Sequence, residues 1–122
     1  MNLSTYAANA LLDGTAMPAT LYVQLHIGDP GEDGTANIAG DTRRRSFTRT
    51  AAALGACSNA ALLEWLLAPT DEDLTHVTVW DASSDGNPWW IGAITGAPVS
   101  AITGQTTEIP VNELDLSFQR WT

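Results

Sequence analysis

Residues 20–34 (TLYVQLHIGDPGEDG) constrain the fold most strongly, because a strand pattern changes there into a turn-rich loop. Aliphatic residues occupy every second position of the first half: Leu21, Val23, Leu25 and Ile27. A period of two places them on one face of a β-strand. Glycines and a proline then break the pattern, and acidic residues keep the chain in water: Asp29, Glu32 and Asp33. We therefore predict a half-buried strand that leads into a long loop, 28–42, of the kind that is usually functional or mobile.

Several further segments have the composition of short strands, and turn residues separate them. Their ranges are 44–53, 60–67, 75–82, 88–95, 98–103, 106–111 and 113–119. The leucine spacing of 60–67 also suits a helix, but its context favours a strand. Residues 70–74 are expected to form a polar turn, 83–87 a hairpin loop, and 98–103 a pair with 106–111. The pattern predicts an all-β fold, a seven- or eight-stranded antiparallel sandwich or barrel that is jelly-roll-like.

A short helix is predicted at the N-terminus, over residues 3–12. Ser4 or Thr5 can cap it, and apolar residues recur at three- and four-residue spacing. Ten residues do not form a stable helix alone, so it must pack on something. It either covers an open end of its own sheet or forms an arm that docks on a neighbouring subunit. We expect one β-sandwich domain over 1–122, because the length is typical of a single domain.

The charge is strongly acidic overall but unevenly distributed. The chain carries 14 acidic residues against five arginines, a net charge of −9, which argues against nucleic acid and anionic membranes as partners. Four arginines cluster directly after the acidic loop: Arg43, Arg44, Arg45 and Arg49. Such a basic patch can dock an acidic partner, including the acidic loop (Asp29, Glu32 and Asp33) of another copy. We take both sets as candidate partner interfaces.

Tryptophan is abundant, with five residues in 122. Trp89 and Trp90 are adjacent, and neighbours in a strand point to opposite faces, so we expect that both cannot enter one core. One of them is then exposed or covered. Three roles remain open: burial under the helix or a loop, a partner interface, or a platform for stacking sugars. Trp121, one residue from the end of the sequence, raises the same question and is a further interface candidate.

No arrangement of residues points to catalysis or to a cofactor. Cys57 is the only cysteine, so an intrachain disulfide is impossible. A dyad or zinc site built from Cys57, His26 and His76 has no supporting motif, and no spacing identifies a glycosidase carboxylate pair. Calcium is the better metal alternative, through Asp29, Glu32 and Asp33 or through 71–73. The sequence shows no transmembrane run, and the N-terminal residues lack the basic region of a signal peptide.

The motifs, taken in order, resemble those of a family of small tailed-bacteriophage virion structural proteins. Members are variously labelled head decoration, tail-fibre-like or minor tail proteins. The family pattern pairs an LYVxL strand with a GDPG loop, here 21–25 and 28–31. An aromatic-x-Arg strand follows, matched by 47–49. A THVxxWDA segment with a Gly/Asn turn comes later, matched by 75–82 and 85–87.

This resemblance implies a virion component, assembled in the cytoplasm of a bacterial host and without enzymatic activity. Because the chain is small, compact and free of repeats, we expect a capsid decoration protein. It would bind the major capsid protein and copies of itself, as a homotrimer, and bridge capsomers. The alternative is a minor tail or tail-fibre-like protein that serves tail structure or host adsorption, with Trp89 and Trp90 as a glycan-binding pair. The resemblance implies no cofactor.

Overall fold

The structure is a computed structural model that describes residues 2–12, 17–51, 56–94, 98–111, 113–114 and 116–117. Short strands dominate it, and the one helix of the described residues, α1, spans Thr5–Leu12. The strands in chain order are β1 (Asn2–Leu3), β2 (Thr20–His26), β3 (Arg45–Thr48), β4 (Ala56–Cys57), β5 (Leu63–Trp65), β6 (Glu72–Leu74), β7 (His76–Trp80), β8 (Pro88–Ala93), β9 (Val99–Ala101), β10 (Thr107–Ile109) and β11 (Leu116–Ser117).

The strands form one larger antiparallel sheet and three two-stranded ribbons. The sheet has the order β1-β8-β7-β2-β3, and the ribbons are β5–β10, β4–β11 and β6–β9. Apolar side chains of the sheet and of the ribbons meet in one buried cluster, as in a sandwich. The predicted all-β antiparallel fold with a short helix is therefore confirmed. The described residues divide into eleven short strands rather than the seven or eight longer ones expected.

The inner strand β2, which lies between β7 and β3, supplies the core as its alternation predicts. Leu21, Val23 and Leu25 are buried, and each lies opposite an apolar or partly apolar residue of a neighbouring strand. Val23 pairs with Val79, and Leu25 with Val77. The hairpin between β7 and β8 also forms where its loop signals placed it. These contacts make β2 and β7 the middle of the large sheet.

The predicted pairing of 98–103 with 106–111 is wrong. Strand β9 pairs with β6, which lies in the expected polar turn, and β10 pairs with β5. The connection between β9 and β10 is bonded to the segment that precedes β6. There the Asp71 carboxylate accepts hydrogen bonds from the amide (2.7 Å) and hydroxyl (2.9 Å) of Thr103. The amide of Gly104 also donates to the carbonyl of Ala68 (2.9 Å). Because of these bonds, β9 and β10 do not pair with each other; β9 lies beside β6 and β10 beside β5.

Residues 60–67 form a strand and not a helix. Leu63 and Trp65 are buried, whereas Leu62 and Leu66 are 44% and 50% exposed, which is the alternation of a strand. Leu67 departs from the pattern: it is 73% exposed and has a φ of 53°. The prediction of a strand here is confirmed over Leu63–Trp65.

The N-terminal segment packs on its own sheet. Residues 2 and 3 form an edge strand beside β8, so the helix begins later than predicted. Ser4 caps it: its hydroxyl oxygen accepts the Ala7 amide hydrogen (3.0 Å) and its O–H donates to the Pro88 carbonyl. Ala7 and Ala10 face the core, and α1 lies against β8. Within this chain, the helix therefore covers its own sheet.

The loop 28–42 covers the second face of the large sheet. Its backbone bonds to the end of β2 through Ala39 N to Leu25 O (3.1 Å) and Ile27 N to Asn37 O (2.9 Å). Gly34 has a φ of 73° and lies so close that a Cβ there would meet Trp80 at 3.2 Å and Thr78 at 3.3 Å. Strand β2 is thus covered on both faces, and the expectation of a half-buried strand is wrong.

The close approach of the loop to the sheet predicts that replacing two glycines by alanine, one in this loop and one outside it, lowers stability by different amounts. Gly34→Ala should lower the free energy of unfolding by about 2–3 kcal/mol, because it combines an unfavourable backbone angle with overpacking. Gly104 is the matched control: its φ is 81°, but nothing lies within 4 Å of a Cβ built on it. Gly104→Ala should cost only the backbone part, about 1 kcal/mol. Urea denaturation measures both, and equal losses would contradict the proposed contact.

Candidate interaction surface

Arg43, the first member of the arginine cluster, is used inside the chain. Its guanidinium makes a two-point contact with Asp41, at 2.9 Å to Oδ1 and 2.8 Å to Oδ2, and also donates to the Leu66 carbonyl (2.6 Å). Burial alone would raise the pKa of Asp41, but the hydrogen bonds and charge of Arg43 lower it instead. This pair fixes the start of β3 against the chain that follows β5.

Arg44 also makes its side-chain contacts within the chain. Its guanidinium stacks on the Trp80 ring, 4.1 Å from the centroid, and donates to Gln24 Oε1 at 3.2 Å. It also donates to the carbonyls of Ala82 (2.9 Å) and Asp85 (2.7 Å) in the β7–β8 turn. Burial lowers the pKa of Arg44, although the negative charges of the turn oppose this effect. Arg44 therefore clamps that turn onto the sheet.

Arg45 and Arg49 differ from the other two. They flank the buried Phe47 on one face of the β3 segment and are half-buried. The Nε atom of each is buried and has no hydrogen-bond partner in the described part of the chain. A buried donor without a hydrogen-bond partner costs free energy. Of the four predicted interface arginines, these two have side chains that form no ion pair or hydrogen bond with another described residue and that are partly exposed.

The three acidic residues of the loop all point to solvent, and two of them also shape it. Asp29 accepts the Gly31 amide hydrogen (2.9 Å), and Asp33 accepts that of Thr35 (3.3 Å). The bonds from Thr35 lower the pKa of Asp33. Glu32 is exposed beside Asp29 at an open cleft of about 330 Å³. The residues lining the cleft are Asn2, Leu3, Ser4, Thr5, Asp29, Gly31, Glu32 and Ile91.

The acidic residues do not converge on a metal site. Within the described ranges, no group of three or more His, Cys, Asp or Glu residues is arranged to hold an ion. The acidic run 71–73 is divided among other partners, since Asp71 binds Thr103 and Asp73 accepts from Ser100 at 3.3 Å. The calcium alternative therefore has no structural support.

The tryptophan pair occupies the core. The β7–β8 register shifts so that Val79 pairs with Trp90 and Trp80 with Pro88, which leaves Trp89 without a residue opposite. Such a bulge interrupts the alternation and re-aims a side chain. Trp89 and Trp90 are only 1% and 0% exposed and belong to the same apolar cluster. The expectation that both cannot enter one core is wrong, because it assumed an unbroken strand.

The surroundings of Trp89 explain its burial. Its ring meets Tyr6 of α1 edge to face, with centroids 5.7 Å apart and planes at 78°, and its Nε1 donates to Asp81 at 3.4 Å. Neither Trp89 nor Trp90 offers a free ring face to a sugar or a partner. Trp121, the third aromatic interface candidate, lies outside the described residues.

The histidines and Cys57 lie on different sides of the large sheet. His26 and His76 are paired on adjacent strands, on the face covered by the loop, whereas Cys57 belongs to the core on the other face. This separation contradicts the Cys–His dyad and the shared zinc site. His26 is instead a structural group: Nδ1 donates to the Ala36 carbonyl (2.9 Å), and Nε2 accepts from the Thr78 hydroxyl (2.8 Å). The carbonyl can only accept, so the tautomer is fixed.

A surface that sequence reasoning missed lies on the β5–β10 ribbon. We define the acidic leucine face as Leu62, Glu64, Leu66 and Glu108, all of which are exposed. Glu64 and Glu108 lie directly opposite each other in the pairing. The signal was present in 60–67, because a strand there must turn two leucines outwards along with Glu64. Pairing with β10, which brings in Glu108, could not be read from the sequence.

The comparisons with known proteins identify the family. The family model described as Podophage GP4 fiber I protein gp80 matches residues 2–117, nearly the whole chain. The chain belongs to this family. No curated protein matches it at a significant level.

Membership makes the chain a bacteriophage structural protein and a component of the virion, which the motif resemblance implied. Within that class, a fibre family agrees better with the tail-fibre alternative than with the expected capsid decoration protein. In the described part of the chain, no helix is both long and apolar enough to cross a membrane.

His26 predicts a pH dependence of stability. Burial lowers the pKa of the folded His26 from its ordinary 6.5, so the unfolded chain binds a proton more readily. Stability should therefore fall as the pH drops below about 6.5, and the loss should end once the folded pKa is passed. His26→Gln should flatten this slope above about pH 5, where carboxylates stay ionised. His76→Gln is the control. Urea unfolding at several pH values measures the slope of stability against pH for both variants, and equal slopes would contradict the assignment of the pH dependence to His26.

The arginine assignments predict different costs for adjacent residues. Arg44→Ser should lower the free energy of unfolding by about 2 kcal/mol, because the Trp80 ring and two carbonyl partners lose their cation. Arg45→Ser, the matched control, should cost less than about 1 kcal/mol, because its Nε has no partner to lose. Denaturant titration of both variants measures the difference. A larger loss for Arg45→Ser would show that the two roles are reversed.

Proposed function

We propose that the chain is a non-enzymatic fibre component at the tail of a podophage virion, serving tail structure or host adsorption. The observation that carries the proposal is the family match over residues 2–117 to a fibre protein. The fold supports it, because the conspicuous residues serve structure: Trp89 and Trp90 fill the core, His26 holds a loop, and Arg44 clamps a turn.

The contacts of such a component would be made by charged surface groups rather than by Trp89 and Trp90, which are buried. The candidate groups are the outward acidic loop residues, among which Glu32 makes no side-chain bond to another described residue, and the half-buried Arg45 and Arg49. The proposed partners are other virion proteins and copies of the chain itself, with a homotrimer as the expected assembly. We place this assembly in the cytoplasm of the bacterial host.

Location in the particle tests the proposal. Gold-labelled antibodies against the chain should mark the tail fibres of intact particles in electron micrographs. Heads prepared from a mutant that cannot attach tails should lack the protein by immunoblot, because a fibre component leaves with the tail. The major capsid protein, blotted in the same samples, controls for the amount of head material.

A capsid decoration protein would behave in the opposite way. It would remain on tail-less heads, in a copy number comparable to that of the capsomers, and gold would decorate the shell. That outcome would overturn the fibre proposal and restore the binding partner first expected, the major capsid protein.

A further inference from the structure

The acidic leucine face contains features that cost the isolated chain free energy. Glu64 and Glu108 are directly opposite on the exposed side of the ribbon, and like charges in that position destabilise a sheet. Neither forms an ion pair or a side-chain hydrogen bond with another described residue. Leu62 and Leu66 flank Glu64 and are about half exposed. A partner that supplies positive charge and apolar surface would remove each of these costs.

The same region is held rigidly. Arg43 donates to the carbonyl of Leu66, and Ala68 is held on both sides, since its amide donates to the Gln105 carbonyl and its carbonyl accepts from the Gly104 amide. Leu67 keeps a φ of 53°, which is unfavourable for a bulky side chain, and nevertheless projects into solvent. Strained residues persist where the surrounding structure holds them, often at binding sites. The face is therefore preorganised for a contact, and little freedom remains to be lost on docking.

Charge complementarity identifies the partner surface. Two copies cannot join face to face by this surface, because the glutamate pairs would then meet each other. Among the described arginines, Arg43 and Arg44 bond within the chain, whereas the side chains of Arg45 and Arg49 are partly exposed and form no ion pair or hydrogen bond with another described residue. Arg45 lies near Asp41, but that carboxylate is already held by Arg43. Carboxylates are the acceptors that guanidinium groups pair with most strongly.

The dimensions of the two surfaces are compatible. Arg45 and Arg49 are four residues apart along an extended segment, about 13 Å. The Cβ atoms of directly paired residues such as Glu64 and Glu108 are about 5 Å apart. Both arginines are partly exposed, and an arginine side chain is long enough for its terminal nitrogens to reach a neighbouring carboxylate while its stem stays packed.

We propose that the acidic leucine face docks onto the Arg45–Arg49 surface of a second copy of this chain, head to tail. The contact is heterologous, so repetition closes a ring, such as a trimer, or extends a filament. It deepens the proposed function, on which it rests for its biological setting, because a fibre component must propagate or close contacts between subunits.

Charge reversal on purified protein tests the contact. One variant carries Glu64→Arg and Glu108→Arg, and the other carries Arg45→Glu and Arg49→Glu. Each alone presents like charges on both surfaces, so its self-association should be at least about tenfold weaker than that of the wild type. In an equimolar mixture, every contact between the two variants pairs opposite charges, and association should return. Sedimentation equilibrium over a range of concentrations at low salt measures the wild type, the two variants and their mixture.

Two controls separate docking from folding and from net charge. Asp73→Arg with Glu113→Arg makes the same charge change at exposed residues outside the two surfaces, and should leave association unchanged. Glu64→Gln with Glu108→Gln removes the like-charge pair without reversing it. This variant should be at least as stable as the wild type and still associate more weakly, so the test survives if a reversed variant fails to fold.

The proposal is overturned if the wild type stays monomeric at every concentration. A wild type whose association resists both reversals, or a mixture of reversed variants that stays monomeric, overturns it equally. A monomeric chain that gold labelling places on tail fibres would contradict this contact and leave the proposed function intact. Self-association by a protein that gold labelling places on the capsid shell would support this contact and overturn the proposed function.

Discussion

The removal of β2 from water on both faces is the constraint on which the rest of the structure depends. One face packs against the ribbons and α1, and the other against the loop 28–42. On the side of the loop, the buried side chains are mainly polar. His26, Thr78 and Gln24 are buried there, and each meets a partner: the Ala36 carbonyl, the Trp80 ring nitrogen or Arg44. Burial of these polar groups is tolerable only because they are hydrogen-bonded.

Local patterns predicted the parts of the fold that local forces decide. The alternation of β2, the β7–β8 hairpin and the Ser4 cap follow from residue spacing and turn chemistry. Partner choice among the short strands did not follow, because β6, β9 and β10 are three residues each and carry little register information. Side-chain bonds between distant loops, such as that of Asp71 with Thr103, decide it instead. No periodicity in the sequence contains that information.

The candidate site shows the same division. The closeness of the four arginines in sequence suggested one basic patch. Neighbouring residues of an extended chain face different surroundings, however, so Arg44 stacks on the Trp80 ring whereas the Nε of Arg45 has no partner among the described residues. The tryptophan pair was misread because a bulge changes the facing of a side chain, and a bulge leaves no clear mark in sequence. The acidic leucine face depends on a cross-strand pair from residues 44 positions apart. Its leucines were visible in the sequence, but its charge pair was not.

The way in which the loop 28–42 is held separates the requirements of folding from those of recognition. Its attachment uses main-chain groups of 27, 37 and 39 and a glycine pressed against the sheet. The side chains directed to solvent, Glu32 above all, take no part in that attachment. Substitutions at such positions can alter what the loop meets while the body beneath it is preserved. If the partner surface of the protein changes, the solvent-facing side chains of the loop can therefore change with it while the β-sandwich keeps its packing.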